Sequence, residues 1–124
     1  MKAYERLLKY VMYPTASDGK CETCPSTPAQ RVFGEALVEE LRALGLGDAA
    51  IDGNGYVYAT LRGNAPGQPV IGLIAHMDVV GDVPCQPMKA HIVEDYDGGD
   101  IVLDEEGRNT LSPAVFPSLK THVG

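Results

Sequence analysis

The chain is 124 residues long, 44% hydrophobic and 22% charged, with a formal net charge of −7 and a pI near 4.8. That length fits one domain with a modest core, the composition is that of a globular rather than a disordered chain, and the acidity argues against nucleic acid or an anionic membrane as partner, since both need clustered Lys and Arg. No apolar stretch has the length of a membrane span, no signal-peptide core follows Met1, and three cysteines (Cys21, Cys24 and Cys85) make no disulfide framework, so the sequence reads as cytoplasmic with reduced thiols.

A first helix is expected over 3–12, where Tyr4, Leu7, Leu8 and Val11 recur at helical spacing and Pro14 stops the run. Residues 15–26 are rich in Ser, Asp, Gly, Thr and Pro without periodicity, which reads as a surface loop. Within it lies Cys21-Glu22-Thr23-Cys24. A redox pair at that spacing wants a helix start inside a thioredoxin-like βαβ pattern and a zinc knuckle wants a second pair, so these read as loop cysteines, with a functional thiol pair near the helix start at Thr27-Pro28 as the alternative. A second helix is expected over 28–44, with Thr27 as N-cap, Pro28 at the first helical position and Gly45 and Gly47 after its end. Its stripe of Gln30, Val32, Phe33, Ala36, Leu37, Glu40, Leu41 and Leu44 should pack on a sheet, with Arg31, Glu35, Glu39 and Arg42 toward water.

Ile51 to Leu61 reads as a hairpin leading into a strand, and Gly53-Asn54-Gly55 is its turn rather than a phosphate loop, because no third glycine and no helix follow. A loop from Arg62 delivers the chain to Pro69-Val70-Ile71-Gly72-Leu73-Ile74-Ala75-His76-Met77-Asp78. A continuous apolar run is what a strand covered on both faces looks like, and ligands gather beyond the carboxyl ends of such strands, so 69–75 is expected as the central strand of an α/β sheet. Side chains alternate faces, which puts His76 and Asp78 on the same side about 6–7 Å apart along the strand. That suits a neutral imidazole binding a metal and a carboxylate orienting it, although a hydrogen-bonded strand-end pair has the same residues.

Beyond Asp78, residues 81–87 (Gly81 and Asp82 through Pro84, Cys85, Gln86 and Pro87) form an irregular segment of the kind that lines pockets. His91–Tyr96 and Asp100–Leu103 read as short strands around Asp97-Gly98-Gly99, with another turn at 104–109. The acids Glu94, Asp95, Asp97, Asp100, Asp104, Glu105 and Glu106 lack the spacing of a calcium loop and read as solvated. Residues 111–120 look like a helix start with Leu111, Val115 and Leu119 on one face, interrupted by Pro117.

Three stretches carry a resemblance: Gly72-Leu73-Ile74-Ala75-His76-Met77-Asp78; Ile92 through Leu103 with its Tyr96-Asp97-Gly98-Gly99-Asp100-Ile101; and Leu111-Ser112-Pro113-Ala114-Val115-Phe116-Pro117. Together they resemble the amino-terminal part of the peptidase T branch of the M20 family of di-zinc peptidases, over essentially the whole chain. The His-x-Asp motif is shared across that superfamily, deacylases included; the two later stretches are particular to the branch. Val79 departs mildly from the threonine common at its position.

The resemblance implies a zinc-dependent tripeptide aminopeptidase with two Zn²⁺ ions per complete site, His76 as a zinc ligand and Asp78 as the catalytic carboxylate of the motif. It further implies a partial three-layer α/β catalytic domain, helices packed on a mixed sheet, with residues 1–124 as the amino-terminal part of a single catalytic domain. The family's later Gly-x-Asp-Asp-Lys-x-Gly segment, its Glu-Glu pair with the general base, a further acidic ligand and a late histidine have no counterpart here, nor has the lid or dimerisation domain. His91 and His122 do not occupy motif positions. The expected partners are short peptides, with no nucleic acid and no membrane, and the chain alone is expected to be inactive and to self-associate or form a homodimer through exposed apolar surface. The competing readings are a non-catalytic α/β binding or assembly module and a fragment of a related M20 deacylase.

Overall fold

A computed structural model describes residues 1–82, 88 and 90–124. The chain combines helices with small antiparallel sheets and divides into two compact units, Met1–Ala90 and His91–Gly124.

The first unit opens with helix α1, Ala3–Tyr10. Its entry is fastened by the Lys2 backbone N–H, which donates to Glu5 Oε2 at 2.6 Å. The sequence periodicity suggests 3–12; the last turn instead tightens, with Met12 N–H reaching Lys9 O at 3.2 Å ahead of Pro14. Helix α2 covers Pro28–Ala43, within one residue of expectation. Pro28 at its start has no N–H to lose, and Gln30 folds back so that Oε1 accepts from the Thr27 N–H at 3.4 Å and the Ser26 N–H at 3.0 Å. At the other end Gly45 adopts φ +93°. Its N–H reaches Arg42 O at 2.9 Å while Leu46 N–H reaches Leu41 O at 3.0 Å, so the last carbonyls of the helix are satisfied by a left-handed turn that glycine permits.

Ala50–Ile51 (β1) and Val57–Tyr58 (β2) form the expected hairpin, antiparallel, with Ala50 opposite Tyr58 and Ile51 opposite Val57. Asp52 closes its turn: Oδ1 accepts from the N–H groups of Asn54 and Tyr56, both at 2.9 Å. Helix α2 lies against both strands. The contact is close because Gly34 has no side chain; a Cβ there would sit 2.6 Å from Ile51 Cδ1 and 3.4 Å from Val57 Cγ2. The buried face of α2 is therefore rotated from the expected stripe. Gln30, Phe33, Gly34 and Val38 are buried, whereas Val32 and Leu44 are exposed. Arg31 and Arg42, expected to face water, reach across to the hairpin and donate to the carbonyls of Asp52 (3.3 Å) and Ala49 (3.0 Å). On the other flank Tyr10 and Tyr13 pack on Phe33 at ring separations of 5.3 and 4.8 Å, and Arg6 pairs with Glu40 at 2.7 Å, joining α1 to α2.

The expected central strand 69–75 is not formed. Val70, Ile71, Leu73 and Ile74 are 99, 80, 94 and 99% exposed and carry no ladder hydrogen bonds among the described residues. A strand exists only through its neighbours, and the described chain offers this run none; hydrophobicity marks it as a segment to be buried without supplying the cover. Only its far end is held, where Val79 pairs in parallel with Ala16.

In the second unit the strand expected at His91–Tyr96 is absent, and Ile101–Val102 (β3) pairs instead with Thr110–Leu111 (β4), antiparallel. Asp104 explains the choice: its carboxylate accepts from the Arg108 N–H at 2.8 Å, the Asn109 N–H at 3.0 Å and Asn109 Nδ2 at 2.7 Å, closing the turn that sets this register. Leu111 thus belongs to a strand rather than to a helix start, and after a turn at Ser112 the chain forms a 3₁₀ helix over Pro117–His122. Tyr96 and Pro113 are buried in this unit; the Tyr96 hydroxyl donates to Gly99 O and its carbonyl accepts from the Gly124 N–H at 3.0 Å. Among the described residues no helix is long and apolar enough to cross a membrane. Of the segment expected at 81–87, Gly81 and Asp82 lie in a turn; the rest, with Cys85, lies outside the described residues.

Two outcomes test this packing. Gly34→Val costs about 1–3 kcal/mol by overpacking, whereas in Gly34→Ala a helix-propensity gain of about 1 kcal/mol offsets displacement of the Ile51 methyl, as urea titrations followed by circular dichroism will show. Burial, then the charge and hydrogen bond of Glu40, push the Tyr10 phenol up against a smaller opposing effect of Arg6. Folding therefore favours neutral Tyr10, a contribution present below the ordinary phenol range and lost as pH rises through the higher folded-state value; Tyr10→Phe removes that alkaline loss from the pH dependence of the melting temperature.

Candidate functional site

His76 and Asp78 stand where the exposed apolar run meets the first docked residue, Val79. The expected strand geometry would separate the two side chains, but without a ladder the chain curls. The His76 ring approaches Asp78, with Nδ1 2.8 Å from Asp78 O and 3.2 Å from Asp78 Oδ1. Both are acceptors, so Nδ1 carries a hydrogen, and in the neutral ring the lone pair falls on Nε2. The imidazole is 84% and the carboxylate 41% exposed, which leaves Nε2 open to solvent. Burial of the Asp78 carboxyl works against its charge, but hydrogen bonds from the Ser17 hydroxyl and from His76 outweigh it and hold the carboxyl below its ordinary range.

The docking of Val79 is what fixes this pair to the fold. Val79 O accepts from the Ser17 N–H at 3.0 Å and the Ser17 hydroxyl at 3.1 Å, and the Val79 N–H reaches Thr15 O at 3.3 Å. The Thr15–Ser17 segment is in turn anchored at the start of α2, where Thr27 Oγ1 donates to Ala16 O at 3.1 Å and buried Gln30 donates through Nε2 to Thr15 O at 3.5 Å. Composition alone classes residues 15–26 as surface loop. Thr15 is nevertheless buried and Ser17 holds Val79, the residue after the motif; nothing in the sequence pairs this segment with a residue 62 positions away.

The other candidate residues lie elsewhere. Cys21 and Cys24 are exposed; the Cys24 thiol donates to Asn54 O at 3.3 Å, and Cys21 lies 3.1 Å from the Thr23 hydroxyl. His91 and His122 are exposed residues of the second unit. Among the described residues no three His, Cys, Asp or Glu side chains converge as a metal would require. The His76–Asp78 geometry thus fits one metal ligand with its orienting carboxylate, and the described donor set does not by itself fit a zinc site.

No protein-family model matches the chain. Its curated relatives decide the matter. The chain is 48% identical over 121 residues to "Peptidase T" of Bacillus subtilis strain 168, covering 97% of the chain. It is 47% identical over 124 residues to "Peptidase T" of Caldanaerobacter subterraneus subsp. tengcongensis, and 50% over 123 residues to that of Alkaliphilus oremlandii. The chain matches an amino-terminal portion of peptidase T. It spans about 30% of the length of these relatives. His76 and Asp78 lie inside the matched region.

Because His76 is so exposed and supports no packing, His76→Ala shifts stability by no more than about 0.5 kcal/mol, as thermal melts will show; a larger loss would mean that the pair holds the fold rather than a ligand.

Proposed function

We propose that the chain forms the amino-terminal part of an M20-type, zinc-dependent aminopeptidase that removes the first residue of tripeptides in the cytoplasm. The observation that carries this reading is the match to peptidase T along nearly the whole chain, 48% identical over 121 residues to the Bacillus subtilis relative. The side-chain geometry supports it: a His-x-Asp pair in which the carboxylate and a carbonyl hold Nδ1–H leaves Nε2 as a ligand atom of fixed direction. In this reading His76 contributes a zinc ligand and Asp78 orients it. The remaining ligands and the general base come from polypeptide beyond these residues, and the 124-residue chain is inactive alone.

The same reading assigns residues 1–124 to one catalytic domain of three-layer α/β type. The exposed run Val70–Ile74 supports that assignment, because four large apolar side chains bare to water match a strand awaiting sheet neighbours on both sides.

The test pairs calorimetric zinc titration with a tripeptide hydrolysis assay. The 124-residue chain binds zinc weakly and turns over no tripeptide, while the full-length polypeptide binds zinc tightly and cleaves tripeptides. In the latter His76→Ala abolishes nearly all activity and Asp78→Ala lowers it by about 10–100-fold. Turnover by the short chain, or a full-length polypeptide indifferent to His76→Ala, overturns the reading.

A further inference from the structure

Cys21 and Cys24 stand on a loop that is closed at its base. The Asp18 N–H donates to Ser26 Oγ at 3.0 Å and the Cys21 N–H to Asp18 O at 3.1 Å, so the chain leaves the fold and rejoins it at one place. Both thiols are exposed, and residues 21–24 belong to no helix or strand. A fully extended Cys-x-x-Cys holds its Cα atoms about 10 Å apart, beyond the reach of about 7 Å that a disulfide allows. This one is not extended. The backbone bends at Thr23 and Cys24, and the Thr23 hydroxyl fastens the bend by donating to Pro25 O at 3.1 Å.

The two sulfurs differ in their surroundings. The single hydrogen of the Thr23 hydroxyl goes to Pro25 O, so the Cys21 thiol, 3.1 Å from Thr23 Oγ1, is the donor of that pair; once Cys21 ionises, the hydroxyl can turn its hydrogen to the sulfur. The Thr23 hydroxyl, then the Thr23 backbone, hold the Cys21 thiol below its ordinary range, against smaller opposing effects of desolvation and of the Asp18 charge. Cys24 is engaged with another element. Its thiol donates to Asn54 O at 3.3 Å with the Tyr56 hydroxyl 3.9 Å away, and Pro25 beside it lies against Gly55, where a Cβ would come within 3.2 Å. One thiol is thus free to attack, and the other is held against the turn between β1 and β2.

We propose that Cys21 and Cys24 are a thiol–disulfide exchange site for small-molecule disulfides, with Cys21 as the attacking thiol and Cys24 as the resolving one. The Cys21 thiolate attacks one sulfur of the small disulfide. That S–S bond breaks, one small thiolate departs with the electron pair and takes a proton from water, and a mixed disulfide remains on Cys21. Cys24 then gives its proton to solvent, leaves Asn54 O and attacks Cys21 Sγ, expelling the second small thiolate. The protein's thiol pair is oxidised to a disulfide and the small disulfide is reduced to its thiols. The turn survives the departure of Cys24, because Asp52 Oδ1 closes it independently through the N–H groups of Asn54 and Tyr56, both at 2.9 Å. None of this depends on the function proposed above.

The test exposes the 124-residue chain, carrying Cys85→Ser so that the third cysteine takes no part, to glutathione disulfide. Trypsin cuts after Lys20 and Arg31 and releases both thiols on one peptide; if Cys85→Ser fails to fold, the unmodified chain is read from the same peptide, since Cys85 lies on another. The expected result in the folded chain is a peptide lighter by a pair of hydrogens and free of glutathione, with the amide resonances of Asn54 and Gly55 displaced. In Cys24→Ser the mixed disulfide accumulates on Cys21, whereas in Cys21→Ser the remaining thiol reacts about 10-fold more slowly, and urea erases that ratio. Glutathione retained without an internal bond, equal rates for the single variants, a ratio that persists in urea, or unmoved Asn54 and Gly55 amides each overturns the proposal.

Discussion

Gln30 buries a side-chain amide at the first turn of α2, with only 7% of the residue exposed. Such a group must find partners for both its carbonyl and its NH₂, because an unsatisfied one costs about 1–3 kcal/mol. Its carbonyl gathers the N–H groups of Ser26 and Thr27, and its NH₂ donates to the Ser26 hydroxyl and the Thr15 carbonyl. The requirement of one amide therefore fixes where α2 begins, how the loop before it turns and where Thr15–Ser17 lies. Through the pairing of Ala16 with Val79 it reaches the His76-x-Asp78 motif. Helix, loop and motif are consecutive links in one hydrogen-bonded chain.

What is readable in this sequence is what local chemistry decides. Both helices of the first unit fall where apolar spacing, Pro28 and Gly45 place them, because periodicity and end signals act within a few residues. The hairpin at Asp52–Gly55 is legible for the same reason. What fails is what depends on partners. The run Val70–Ile74 has the composition of a buried strand and no ladder, and Ile101–Val102 chooses Thr110–Leu111 over the nearer His91–Tyr96 because Asp104 closes the intervening turn. Half of the site is legible: His76 and Asp78 stand out as a motif, whereas Ser17, Thr15 and Gln30 owe their roles to a contact spanning 62 positions.

The acidic character acquires a local meaning. Asp18 accepts from the Lys20 N–H, Asp48 from that of Thr60, Asp97 from that of Gly99, and Asp52 and Asp104 each from more than one backbone group. These carboxylates fasten turns in a chain whose strands are only two residues long, and little else satisfies those N–H groups. Part of the net charge of −7 is thus the chemistry of turn closure.

The bare run from Val70 to Ala75 has a consequence for how the chain meets other chains. It is uncharged, rich in β-branched and aliphatic side chains and free of proline, which is the signature of a segment able to stack with copies of itself into cross-β ladders. Pro69 bounds it on one side and His76 with Asp78 on the other, in the positions where gatekeeper residues interrupt such stacking. The motif thus has a second physical role at the end of this run: the Asp78 carboxylate, repeated in every copy, makes an in-register ladder repel itself where it would otherwise extend.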